Sequence, residues 1–189
     1  FDSVNSALAR ERSPYTLSLD GDWKFLWVRG CDVPEGVTAD GFDDSGWDTV
    51  RVPGVWQRQG YGTPYYYSSS YPQAIVTKAG RTPQISHGLQ EIGVYRRRFT
   101  VPESFGGRET FLRFGAAKAA LAVCVNGREV GYSQGSMTPH EFDVTQYLRP
   151  GENELAAIVW RYSDGTYLED QDMWFFSGIY RSVTLYALP

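Results

Sequence analysis

Period-two alternation in short runs, broken by turn signals, is the feature that most restricts what this chain can fold into. In DWKFLW the rings of Trp23, Phe25 and Trp27 alternate with Lys24 and Leu26, the pattern of a strand with one face turned inward. In YRRRFTV (residues 95–101), Tyr95, Arg97, Phe99 and Val101 fall on one side and Arg96, Arg98 and Thr100 on the other. Residues 110–114 and 121–125 are further apolar runs, and 154–162 and 181–188 supply the last strands. Asn126-Gly127 separates 123–125 from 128–132. Both residues tolerate the positive φ of a type I′ turn, so the pair predicts a hairpin. Arg149-Pro150-Gly151 predicts another turn, because Pro presets φ and Gly accepts a left-handed geometry. No stretch holds a helical period with caps. The best candidate for a single helical turn is VTQYL after Asp143, with Asp143 or Thr145 as its N-cap. Many short strands with frequent turns predict an all-β chain folded as an antiparallel sandwich or barrel.

At 189 residues the chain can build one sizeable core and is short for two. A net charge of -4 argues against nucleic acid as the main partner, which calls for a basic face. No apolar run approaches the roughly 20 residues that span a bilayer, so no membrane partner is expected. The reading is of a soluble protein, cytoplasmic or periplasmic, with the compartment left open. The first residue is Phe and no leader precedes it, so a processed product or a fragment is expected. Cys31 and Cys124 match no metal or redox spacing and are expected to sit reduced in loop and core, a pairing being the alternative. His87 and His140 stand alone, and surface or packing roles are expected of both.

The chemistry concentrates in WRYSDGTYLEDQDMWFFSG (residues 160–178), which sets Asp164, Glu169, Asp170 and Asp172 among Tyr167 and Trp174. Three carboxylates in four residues resist burial unless a cation, an Arg or a ligand's hydroxyl groups compensates. Beside aromatic faces, such a cluster suits a sugar pocket; a solvated acidic loop is the plain alternative. Asp170 and Asp172 stand at i, i+2 and project the same way if extended, so a catalytic carboxylate pair is geometrically open. Residues 30–45 and 57–90 are irregular. The second is too long for an idle connection, and loops of that size carry binding or lie against a neighbour.

Taken in order, five stretches resemble the N-terminal sugar-binding domain of glycoside hydrolase family 2, in its β-galactosidase branch. They are SLDGDWKFLW (18–27), WDTVRVPGVWQRQGYGTPYY (47–66), GVYRRRFTVP (93–102), VNGREVGYSQGSMTPHEFDVT (125–145) and LRPGENELAAIVWRYSDGTYLEDQDMWFFSGIYRSV (148–183). The resemblance implies a galactose-binding-domain-like jelly-roll β-sandwich over residues 18–189, with 1–17 as an N-terminal extension. It also implies continuation into an immunoglobulin-like sandwich and a TIM barrel holding two catalytic glutamates. Retention needs two carboxyl groups about 5–5.5 Å apart; the resemblance places that pair in the barrel and implies that no residue here is catalytic. Asp172, in the Q-D-M-W element, is implied to reach the barrel's active site, hydrogen-bond a galactosyl hydroxyl and help ligate a sodium ion. Trp174 and Tyr167 are expected to buttress it, plain core packing being the alternative. Glu169 and Asp170 are expected to hold the loop by accepting backbone N–H or Arg hydrogen bonds, with Arg161 and Arg181 as partners.

Ser68 stands where the family's Y-T-N-x-x-Y-P element has its substrate-binding Asn, and it lacks the amide's paired donor and acceptor. Residues 73–92 also depart from the family's Pro-rich continuation, and Lys118 stands where an Asn or acid is usual. These departures keep β-glucuronidase and β-mannosidase open beside β-galactosidase. The implied partners are a β-galactoside or related oligosaccharide, the enzyme's own downstream domains and a second copy of the chain. From another class, a free-standing carbohydrate-binding module also fits the jelly roll and its 15% aromatic content, since surplus rings are available for stacking.

Overall fold

Trp23 and Phe25 turn inward from the strand Gly21–Arg29, as their alternation predicts. The computed structural model describes residues 3–9, 11, 13–67, 75–76, 84–169 and 171–188, with only the backbone of 67, 75 and 76. Its larger sheet runs, in spatial order, Arg128–Gln134, Ala120–Val125, Glu152–Trp160, Glu91–Thr100, Gly21–Arg29, Asp48–Val52. The smaller runs Thr16–Ser18, Val183–Ala187, Thr110–Phe114, His140–Asp143. Every pairing within them is antiparallel. From Glu91–Thr100 onward the chain repeatedly switches sheets, which is jelly-roll connectivity. Between the sheets, Trp23, Phe25 and Tyr95 meet Leu112, Phe114 and Leu185 in one apolar core.

Both faces of the strand Glu91–Thr100 are covered over most of its length. Residues 31–47 fold over the outer face and set Val37, Phe42 and Trp47 on Ile92 and Val94. Arg96, on the side opposite Tyr95 and Phe99, is therefore only 1% exposed. It pairs with Glu154 at 2.6 Å and Asp44 at 3.2 Å, and donates to the carbonyls of Val37 and Ala39. Burial of that cation is tolerable because each partner is a carboxylate or carbonyl oxygen. Gly93, on the same strand, faces the core. A Cβ there would lie 2.7 Å from Trp56 Cζ3 and 2.8 Å from Phe25 Cε2. Gly93→Ala is expected to cost about 1–3 kcal/mol in urea unfolding by overpacking. An unchanged midpoint would show that these rings yield freely.

The hairpin forms where expected, with Val125 opposite Arg128 and positive φ at Asn126 (52°) and Gly127 (74°). Gly151 also takes a positive φ of 80°. The expected turn is the 3-10 segment Thr145–Tyr147, but Val144 rather than Asp143 or Thr145 stands at its N-cap; Asp143 Oδ1 accepts the Thr145 N–H at 2.9 Å. Two helices were not expected, Val4–Leu8 and Asp164–Leu168. Each is one short turn, the first held by a capping box of Ser3 with Ser6 and the second by the Ser163 N–H donating to Thr166 Oγ1 at 2.9 Å, which no apolar periodicity reveals. Cys31 is exposed, Cys124 half-buried, and both are free thiols. Among the described residues no helix is long and apolar enough to cross a membrane.

Candidate functional site: an acidic, aromatic rim

Two segments far apart in sequence meet beside the Trp160 end of the larger sheet. Tyr65–Tyr67 pairs antiparallel with Met173–Phe175, setting Tyr67 opposite Met173, Tyr66 opposite Trp174 and Tyr65 opposite Phe175. Asp172 precedes this ladder and is exposed. Its Oδ1 accepts the hydroxyl of Tyr66, 106 residues away in the chain. A carboxylate accepts through both oxygens, so Oδ2 remains for a second donor. Trp174 is 53% exposed rather than core. It stacks on Phe176 at 5.9 Å and leans on Tyr66 at 5.7 Å, so it supports Asp172 through the tyrosine that holds it. Tyr167 is half-buried within the helix Asp164–Leu168. Ser68 and Asp170 lie outside the described residues.

Arg161 locks the ladder in place. It is 1% exposed and pairs with Glu91 at 2.7 Å. Its Nη2 donates to the carbonyls of Thr63 at 2.7 Å and Phe175 at 3.1 Å, one on each side of the ladder. Its guanidinium also lies 5.0 Å from the Tyr65 ring centroid. Gly62 lets this happen: its φ is +66°, and a Cβ would meet Glu91 Oε2 at 2.5 Å. The Gln90 amide clasps Tyr162 next door, donating to its carbonyl at 2.8 Å and accepting its N–H at 3.0 Å.

The acidic run is held by a second device, whose partner, Ser136, sequence reasoning did not identify. Glu169 accepts the backbone N–H of Ser136 at 2.8 Å and the Ser136 hydroxyl. Tyr180 donates to the Ser136 carbonyl, and Arg181 to the Met137 carbonyl at 3.1 Å. Glu169 thus accepts a backbone N–H as expected, but the expected arginines are engaged elsewhere: Arg161 with Glu91, Arg181 with Met137. Lys118 is buried directly below the ladder, its Nζ 4.4 Å from the Phe175 ring centroid, on the strand paired with Gly178–Ile179. Among the described residues no three His, Cys, Asp or Glu side chains gather to hold a metal. Asp172 offers one hard oxygen ligand, which suits an alkali ion only as part of a larger donor set.

His140 closes the turn that carries Ser136. It is buried, with Nδ1 2.7 Å from the Ser133 hydroxyl. Burial pushes its pKa below the ordinary value, against smaller opposing effects of the Gly135 backbone and the Glu169 charge. Below its unfolded pKa of about 6.5, the unfolded chain binds this proton more readily than the folded one, so stability falls as pH falls. Urea unfolding at pH 7, 6 and 5 should show that decline, with at most about 1.4 kcal/mol per pH unit from this residue. His140→Gln should flatten it; an unaltered slope would assign the acid sensitivity to other groups.

Fold and rim together define a jelly-roll sandwich domain with an acidic, aromatic edge. Residues 16–189 match the model of the glycosyl hydrolases family 2, sugar binding domain, and the chain belongs to this family. It is 40% identical to a β-galactosidase of Psychromonas ingrahamii, over 100% of this chain and 18% of that protein. A β-galactosidase of Priestia megaterium is 38% identical, again over 100% of this chain and 18% of the relative. Among solved structures, Bacteroides uniformis β-glucuronidase superposes with a TM-score of 0.68 at 27% identity, covering 92% of this chain and 18% of that one. The chain therefore spans less than a fifth of the length of these relatives.

Proposed function

We propose that this chain is the sugar-binding domain of a β-galactosidase that hydrolyses terminal β-galactosides with retention, and that Asp172 helps hold the galactosyl ring. The observation that carries this reading is the Tyr66–Asp172 hydrogen bond at the end of the ladder. It gives an exposed carboxylate a fixed direction while leaving an acceptor for a sugar hydroxyl. Ser68 belongs to the same proposal, because it follows Tyr67 directly in sequence. The relatives' names support galactose over glucuronic acid: the β-galactosidase of Psychromonas ingrahamii is 40% identical, the β-glucuronidase of Bacteroides uniformis 27%.

In this reading the acid/base and nucleophilic carboxylates lie in another part of the polypeptide. That part closes over the exposed face of Tyr65, Tyr66 and Trp174. Asp172 would supply one oxygen to a sodium ion, the remaining donors coming from that same part. A bound cation there would add charge beside the sugar hydroxyls; Asp172 itself accepts from a hydroxyl and orients the ring. The test is the whole enzyme on p-nitrophenyl β-galactoside, β-glucuronide and β-mannoside. The galactoside is expected to give the highest kcat/KM. No turnover of the galactoside would end the galactose reading, and preferred turnover of the glucuronide would replace it.

A further inference from the structure

The outer face of the larger sheet carries a notch that shares no lining residue with the Tyr65–Tyr67 and Met173–Phe175 ladder. Register places Gln134 and Trp160 on either side of Ala120, and Tyr132 and Ile158 on either side of Ala122. Ala120 is small and buried, so the surface dips between longer neighbours. The depression, about 310 Å³, is lined by Tyr132, Gln134, Trp160, Ser163 and Asp164 over Ala120. That sits at the small end of the roughly 300–1,000 Å³ typical of ligand pockets.

Its walls form a corner. The Tyr132 and Trp160 rings lie 6.1 Å apart at 65°, and Tyr132 is 54% exposed although it stands on a paired strand. Two ring faces at an angle suit the C–H faces of a pyranose, whose weakly positive hydrogens meet the negative face of a π-system. Hydroxyl groups at the sugar's edge then need donors and acceptors at the notch margin. The Gln134 amide offers both and is oriented by donating to the Tyr132 hydroxyl at 2.6 Å. Asp164 offers a carboxylate whose Oδ1 is turned by the Gly165 N–H at 3.0 Å. Gly165 permits the close approach, since a Cβ there would stand 3.1 Å from Gln134 Oε1. An acid and no cation in the lining favour a neutral ligand over an anionic one.

We infer that this notch is a second saccharide subsite, which takes one neutral hexopyranose unit of a longer glycan by stacking on Tyr132 and Trp160. Its role is to grip the glycan away from the bond being cleaved. The inference stands apart from the identity of the cleaved sugar. The test is affinity electrophoresis of the whole enzyme in gels containing soluble β-galactan or β-glucan, comparing wild type with Tyr132→Ala and Asp164→Ala. Both changes fall on exposed side chains and leave the core intact. Wild type should be retarded by at least one of the glycans, and Tyr132→Ala should weaken that binding about tenfold. Turnover of p-nitrophenyl β-galactoside should stay unchanged in Tyr132→Ala, and Asp164→Ala should weaken retardation as well. Equal retardation of wild type and Tyr132→Ala, or no retardation in either gel, would overturn the inference. Loss of galactoside turnover with Tyr132-dependent retardation intact would sink only the galactosidase reading.

Discussion

Asp172→Asn in the whole enzyme is expected to lower kcat/KM on a β-galactoside by about 10²-fold, the factor carried by a charged hydrogen bond of about 3 kcal/mol. The amide keeps the shape of the side chain but loses its charge and turns one acceptor into a donor. Because Asp172 is exposed, the free energy of unfolding should change by no more than about 0.5 kcal/mol. Sodium activation, if present in wild type, should weaken in the variant. Tyr66→Phe tests the positioning role separately. It removes the hydroxyl that directs Asp172 and should cost about 5–10-fold, since the charge itself survives. Equal kcat/KM for wild type and Asp172→Asn would remove Asp172 from the site.

Arg161→Met is expected to be the most destabilising single change near the rim, by about 3–5 kcal/mol in urea unfolding. It strands the buried Glu91 carboxylate and leaves the Thr63 and Phe175 carbonyls without their donor. Both sides of the ladder lose their tie to the sheet, so kcat/KM should fall as well. Arg161→Lys should recover little, because one ammonium cannot reproduce a guanidinium aimed at three acceptors. The double variant Glu91→Gln, Arg161→Met should be more stable than Arg161→Met alone, since no unpaired charge remains buried. A loss below about 1 kcal/mol in Arg161→Met would mean the ladder is held by other contacts.

Local chemistry was legible in the chain, and long-range pairing was not. Asn126-Gly127 announced its hairpin because a type I′ turn depends on two adjacent residues with positive φ. Asp143 announced the turn at Thr145 because its side chain reaches only two residues on. Arg96, by contrast, carries no local sign of its burial. Its burial depends on Asp44, 52 residues earlier, and on a loop whose path no local pattern specifies. The same holds at the rim. Resemblance singled out Asp172, but its partner Tyr66 became visible only once the ladder was formed. Arg161 was expected to pair with Glu169 or Asp170, yet its carboxylate partner is Glu91, 70 residues away, and Glu169 turns to Ser136 instead. Ser163 and Thr166, three apart and joined by one hydrogen bond, were the one readable sign of the helix ahead of the acidic run, and the aromatic and acidic residues around them hid that sign.

The most direct test is a crystal structure of the whole enzyme with galactose bound. The account predicts an Asp172 carboxylate oxygen within about 3.2 Å of a galactose hydroxyl, with the Tyr66 hydroxyl still donating to its other oxygen. A sugar seated in the catalytic pocket with Asp172 turned away, and no hydroxyl within hydrogen-bonding reach of it, would contradict the account.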